Sequence, residues 1–464
     1  MTSETSAIND PVPNAIIKVR SGITESIAHY FQLLNLSHSR FNIFAWLFKP
    51  ANHLLTLYQS IGANQGAYLY RKRLIHGPNF ACAGGVWLSD FSSVKKNLLE
   101  PQARTYKVAS SQLRVSALPA SNFGHRSNFL LSLSQKGAGG NGDWEAYRKC
   151  VEDTLFTEET SLRMKDETSK ALIQKLAEGY KESGLGKNRA FFSKEDHTGD
   201  LHGFLVRYLH YVIFGLDPFD EAIMKEIKIF HYDMCSAAYH FAILGPLLQL
   251  LKFGRKWPDQ FQVVAKIYEN SPAISLLKEG QDKYNKMSKV ELALLMTSIM
   301  SLAGMIGPLT LCNIVLGNRK LCPFEGHETN EILVTDIWDT LNLDDRDEVK
   351  RYIYECGRLR NPVSNTHKVA QEDFVAKIGR RDVSFPKGTI IFIPLQLASL
   401  DTTVHRENTF GFDHNREKLC PLSTIFHSVG DKTNGRICPG KGVAEEMIID
   451  VLIALGKLRK RNPC

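Results

Sequence analysis

Cys438 is the residue with the most chemistry to offer. It stands in Gly435-Arg436-Ile437-Cys438-Pro439-Gly440, just ahead of a stretch from Pro439 to Lys460 that reads as a helix. Proline suits the first turn of a helix, where a missing N–H costs nothing. Free N–H groups and the positive dipole end at such a start favour a thiolate over a thiol. Arg436 adds a fixed cation two residues earlier. A thiolate held this way suits a soft or borderline metal; the competing reading is a plain helix start with a buried cysteine. Two further spacings bring side chains together. Glu355 and Arg358 lie three residues apart and Trp144 and Arg148 four apart, so each pair shares one helical face. The first pair can be a simple ion pair, and the second presents an arginine fork to a carboxylate.

These residues need elements to position them. Leu54 to Lys72 is apolar-periodic and helical, Gly77-Pro78 breaks it, and Asn79 to Leu88 alternates like a hairpin around Gly84-Gly85. Residues 142–182, 199–215 and 221–252 read as helices. Val290 to Leu316 is apolar nearly all round and should run through the core, while Asp344 to Leu359 is amphipathic. From Val369 to Ile393 the pattern shifts to short strands, with a turn at Pro386-Lys387-Gly388. The fold class expected is mostly α with a small β region. No repeat or long linker divides the chain, so a flexible lead-in over residues 1–30 and a single domain over 31–464 are expected.

Composition narrows the function classes. The 464 residues are 43% hydrophobic and carry a net charge of +8, ordinary for a globular enzyme. The basic tail, Lys457, Arg459, Lys460 and Arg461, reads as solvated helix ends, with a docking face for an acidic electron-transfer partner or an anionic membrane as the alternative. Scattered basic residues without a binding motif exclude nucleic acid. The nine cysteines show no CxxC and no close pairing, which implies free thiols in a reducing compartment. No signal peptide or transmembrane span is read. Phe41 to Phe48 is apolar but short, so the expected location is cytoplasmic, either soluble or touching a membrane peripherally. Gly137 to Gly142 fits GxGxxG but lacks a βαβ setting, and reads as a loop.

The cysteine stretch resembles the ligand loop of the cytochrome P450 family, matching at Arg436, Cys438 and Gly440. The family's phenylalanine has its counterpart at Phe426, about five residues farther upstream than usual. Other family features follow in order: Trp144 with Arg148, Glu355 with Arg358, Asn361-Pro362, Lys368, Pro386-Lys387-Gly388, and Phe412 with Arg416. The resemblance spans roughly residues 50 to 460. It implies the cytochrome P450 fold and haem b (iron protoporphyrin IX), with Cys438 as the iron ligand. It implies that Trp144, Arg148, Lys368 and Arg436 bind the propionates, and that Glu355, Arg358 and Arg416 form a structural triad.

One departure bears on the reaction. Family monooxygenases carry an acid–alcohol pair in the central helix that delivers protons to bound dioxygen. Here the matching stretch is Ala303-Gly304-Met305-Ile306-Gly307-Pro308, so Ile306 and Gly307 replace that pair. Ala303, Gly304, Ile306 and Gly307, with Met300, are expected to line an apolar distal face. In this respect the chain resembles the family's fatty-acid hydroperoxide-metabolising branch, allene oxide synthases and hydroperoxide lyases among them. The expected function is therefore haem-thiolate chemistry on a small lipophilic hydroperoxide without NAD(P)H. A reductase-dependent monooxygenase of an apolar metabolite and a non-catalytic haem-binding protein are the alternatives.

Overall fold

The computed structural model describes residues 29–30, 33, 65–82, 85–99, 104–105, 143–183, 200–244, 257–317, 321, 334–370, 372–379, 381–405, 408–416 and 437–461. Its elements, in chain order, are α1 Gln65–His76, β1 Asn79–Cys82, β2 Gly85–Leu88, α2 Phe91–Leu99, β3 Arg104–Thr105, α3 Asp143–Leu155, α4 Glu158–Lys165, α5 Glu167–Ser183, α6 Leu201–Phe214, α7 Glu221–Leu244, α8 Trp257–Glu269, α9 Pro272–Ser275, α10 Lys289–Ile299, α11 Ile306–Val315, α12 Val334–Thr340, α13 Arg346–Leu359, β4 Thr366–Ala370, β5 Phe374–Ile378, β6 Arg381–Phe385, β7 Ile390–Ile393, α14 Leu395–Ser399, α15 Thr402–His405 and α16 Lys441–Arg461. A π-helical segment, Met300–Gly304, joins α10 to α11.

The described residues fall into two compact units, each assembled from three stretches of chain. One draws on Met1–Arg104, Arg319–Thr340 and Arg351–Ile437, the other on Thr105–Asn318, Leu341–Lys350 and Cys438–Cys464. Because the stretches interleave, no single cut in the chain separates them.

The first unit carries the β structure, a five-stranded sheet ordered β1-β2-β7-β4-β3 and a two-stranded sheet of β5 and β6. Gly77, at φ +92°, ends α1 by donating its N–H to the Arg73 carbonyl at 2.9 Å, a left-handed turn that only glycine enters at no steric cost. The hairpin follows, with Asn79 opposite Leu88 and Cys82 opposite Gly85. Its burial is continuous where the sequence alternates: Phe80, Ala81, Cys82, Val86, Trp87 and Leu88 are all buried, because both faces of these strands are covered. Val86, Leu88, Phe91, Val94, Phe385, Ile391 and Ile393 form the core beneath. Asp401 ties this unit together. It accepts the Phe91 N–H at the start of α2 (2.8 Å) and pairs with Arg73 at 2.9 Å. Burial works against its charge, yet Arg73 and that N–H outweigh it and hold the carboxyl below its usual range.

The second unit is helical. α5 packs on α16 and α6, α8 on α10, and α7 on the π segment. Helix α6 shows why a chain this apolar stops cleanly. Asp200 caps its start by accepting the His202 N–H at 3.0 Å, and Gly215 at φ +72° closes its end. No helix among the described residues is long and apolar enough to cross a membrane. The Phe41 to Phe48 stretch, the GxGxxG segment and the start of the expected Leu54 helix lie outside the described residues.

Candidate functional site

Cys438 lies in a turn ahead of α16, not in its first helical turn: the helix opens at Lys441, and the Lys441 N–H reaches back to the Cys438 carbonyl at 3.2 Å. Pro439 therefore shapes the turn and does not begin the helix. The thiol is free and half-buried. Burial pushes its pKa above the ordinary value, opposed by a backbone hydrogen bond from Gly440 and by the positive charges of Arg148 and Lys441. Loss of water thus outweighs the Gly440 N–H and the two nearby cations. A metal cation at the sulfur would reverse that balance. A Cβ built on Gly440 would stand 3.7 Å from the Phe156 ring and 3.9 Å from the Cys438 sulfur. Those are ordinary contacts, so no protein atom requires glycine there.

Arg148 and Trp144 stand one turn apart on α3. The Arg148 guanidinium lies 5.8 Å over the Trp144 ring, and its Nε donates to Glu152 at 2.8 Å. Its Nη2 is buried without a partner. An interior guanidinium N–H left open in this way is a ready donor for an anion. Glu152 went unnoticed in the sequence, although its place at i+4 from Arg148 is the signal that could have found it.

The long central helix is not continuous. Pro308 has no N–H to return to the Gly304 carbonyl and its ring crowds that carbonyl. The next N–H, from Leu309, goes to Met305 at 3.0 Å. The ladder accordingly loosens into the π segment over Met300–Gly304. Around this lapse the helix opens. Leu292 to Met296 and Pro308 to Leu316 are buried, whereas Ala303 is exposed and Gly304, Ile306 and Gly307 are half-buried. A Cβ on Gly307 would meet nothing within 4 Å, but one on Gly304 would collide with the Met300 sulfur at 2.6 Å. Met300 itself is 2% exposed, so it packs over Gly304 instead of lining open space. The helix's polar side chains face its own backbone. Thr297 donates to Ala293 (2.8 Å), Ser298 to Leu294 (3.2 Å), Ser301 to Ser298 (2.9 Å) and Asn313 to Leu309 (2.8 Å). Thr310 is buried.

In the first unit, Glu355, Arg358 and Arg416 meet in one buried cluster. Arg358 is fully buried and pairs with Glu355 at 2.7 Å, and Arg416 reaches the same carboxylate at 3.5 Å. Arg358 also donates to the carbonyls of Thr409 (2.7 Å) and Gly411 (3.1 Å), while Glu355 accepts the Asp413 N–H at 2.9 Å. His405, the last residue of α15, is 7% exposed. Burial, with Arg358 and Arg416 nearby, lowers its pKa to about 3. Lys368 sits on β4 opposite Ile391, and Arg436 and Phe426 lie outside the described residues. Among the described residues no cluster of three or more His, Cys, Asp or Glu is arranged to hold a metal, so a single cysteine is the metal-binding candidate that remains.

Sequence comparison yields neither a matching family model nor a matching curated protein. Solved structures do match. The chain is similar to epothilone D-bound cytochrome P450epoK, at 16% identity and a TM-score of 0.58, over 85% of this chain and 88% of that one. It is similar to CYP109B1 from Bacillus subtilis at 14% identity and 0.53, over 85% and 92%. It is also similar to P450BioI in complex with an acyl carrier protein ligated to hexadec-9Z-enoic acid, at 16% and 0.51, over 82% and 85%. At such identities the likeness is one of fold.

Proposed function

The chain has the cytochrome P450 fold, mostly helical with small sheets, and from that premise we propose that it is a haem-thiolate oxidoreductase acting on a small lipophilic hydroperoxide without NAD(P)H. The residues present fit haem b. Cys438 offers a free, half-buried sulfur, and Arg148 offers an unpartnered interior N–H to a propionate. Trp144 steadies that arginine, and Arg436 and Lys368 are assigned to the propionates by the family resemblance. When bound through a cysteine thiolate, haem supplies electron density that favours O–O cleavage.

The protein's own contribution is orientation and the exclusion of proton delivery. The observation that carries the reading is the open stretch from Ala303 to Gly307. It presents no acid and no hydroxyl, and every nearby Ser or Thr hydroxyl whose bond is described is turned to the helix backbone. Dioxygen needs delivered protons for scission, whereas a hydroperoxide arrives with its O–O bond made. With haem bound, Cys438 would hold the iron, Gly440 would donate to its sulfur, and Ala303, Gly304, Ile306 and Gly307 would form an apolar wall beside the substrate.

The test is a spectrum and a turnover assay on one haem-loaded preparation. Reduction under carbon monoxide should give a thiolate-type band, absent from Cys438→Ser. A fatty-acid hydroperoxide should then be consumed with no reductase present. An inert hydroperoxide, with turnover appearing only on addition of a reductase, would replace this reading with the monooxygenase. Tight haem binding with neither activity would leave a haem-binding protein, and no haem at all would end the haem-thiolate account.

A further inference from the structure

We propose that the backbone carbonyl of Gly304, released by Pro308, is the hydrogen-bond acceptor that selects substrates carrying an O–H group beside the reacting atom. This rests on the haem-thiolate reading of the site and adds to it the chemical feature by which the substrate is held.

In an unbroken helix the N–H of residue 308 donates to the carbonyl of residue 304. Pro308 has none, and the N–H of Leu309 is spent on Met305 at 3.0 Å. The Gly304 carbonyl therefore lacks both its α-helical donor, residue 308, and its π-helical donor, residue 309. The π segment ends at this residue, and such local breaks often mark functional sites. Gly304 is also half-buried, beside the exposed Ala303 in the interior of the central helix. Elsewhere an unsatisfied carbonyl of this kind would cost free energy.

The surroundings supply no competing partner from the helix itself. Ala303, Met305, Ile306 and Gly307 have apolar side chains or none. The nearest hydroxyl in sequence, Ser301, donates to the Ser298 carbonyl at 2.9 Å. A carbonyl accepts and cannot donate, so the ligand that completes this wall must bring the hydrogen. An organic hydroperoxide, or the alcohol derived from it, does so; an ether or a hydrocarbon does not. Gly307, with open space where its Cβ would stand, leaves room for the carbon chain that carries the group.

The experiment compares two ligands on the haem-loaded protein by binding difference spectra: a hydroxy-fatty acid and its O-methyl ether. Wild type should bind the hydroxy acid about five-fold more tightly, the worth of one ordinary hydrogen bond. Pro308→Ala restores an N–H that can close on Gly304, so it should abolish the preference while leaving the carbon monoxide spectrum unchanged. Pro308→Leu restores the same donor and serves if the alanine variant loads haem poorly. Equal affinities in wild type would overturn the inference, as would a preference that survives in either variant. Hydroperoxide consumption separates the two possible ligands, since only the hydroperoxide turns over. A missing thiolate band would sink the haem reading itself, whereas an intact band with equal affinities would sink this inference alone.

Discussion

At the scale of single residues, the site is defined by groups whose valences the protein does not fill. Arg148 keeps an interior Nη2 without a partner while Glu152 holds its Nε at 2.8 Å. Hydrogen bonds to charged groups contribute about 1.5–3 kcal/mol, so Arg148→Ala should weaken haem retention roughly ten- to hundredfold. Transfer of haem to an acceptor protein measures this, and an unchanged transfer rate would remove Arg148 from the propionate site. Gly307 makes a second case. With nothing within 4 Å of its missing Cβ, Gly307→Leu should fold and bind haem normally. It should nevertheless exclude long-chain ligands, because overfilling a site costs about 1–3 kcal/mol. A ligand titration showing unchanged affinity would mean that Gly307 does not face the substrate.

At the scale of elements, helix α13 and the central helix behave differently under the same rules. α13 uses its i, i+3 face to bury Glu355 against Arg358, and the carbonyls of Ser399, Thr409 and Gly411 with one N–H complete the cluster. Removing one partner from a buried pair typically costs 3–5 kcal/mol, since the other charge is stranded. Glu355→Gln should therefore lower the midpoint of chemical denaturation substantially even in haem-free protein; a small shift would show that the cluster is not structural. The central helix, by contrast, gains its opening from one residue. Pro308 costs it a hydrogen bond and leaves the stretch that the sequence reads as an uninterrupted core helix divided at Met300–Gly304.

At the scale of the whole molecule, buried histidines tie stability to pH. Burial lowers His210 to about 4 and His231 well below its usual value, where they neighbour one another and Tyr268. Burial, then Arg358 and Arg416, takes His405 to about 3. Below pH ~6.5 the unfolded chain binds protons that these three decline in the fold, so stability present at neutral pH is lost as the pH falls toward 4. Each histidine contributes a slope of about 1.4 kcal/mol per pH unit in that window. Thermal melts of the haem-free protein should show a steep fall between pH 7 and 5, reduced in a His210→Gln variant; a flat profile would mean that these rings are hydrated.

Residue order alone makes legible whatever short-range spacing controls. It placed Cys438 at a helix-opening turn, paired Glu355 with Arg358, marked the helix break at Gly77-Pro78 and the hairpin from Asn79 to Leu88, and showed that Ile306 and Gly307 offer no acid or hydroxyl. Spacing suffices there because neighbours three or four residues apart on a helix meet regardless of the rest of the fold. Other properties waited on the tertiary structure. Burial raises the Cys438 thiol, covering elements make the hairpin buried throughout, and burial beside Arg358 and Arg416 keeps His405 neutral. These depend on which distant segments exclude water from a group, and desolvation is set by the whole packed surroundings and by no local pattern of residues.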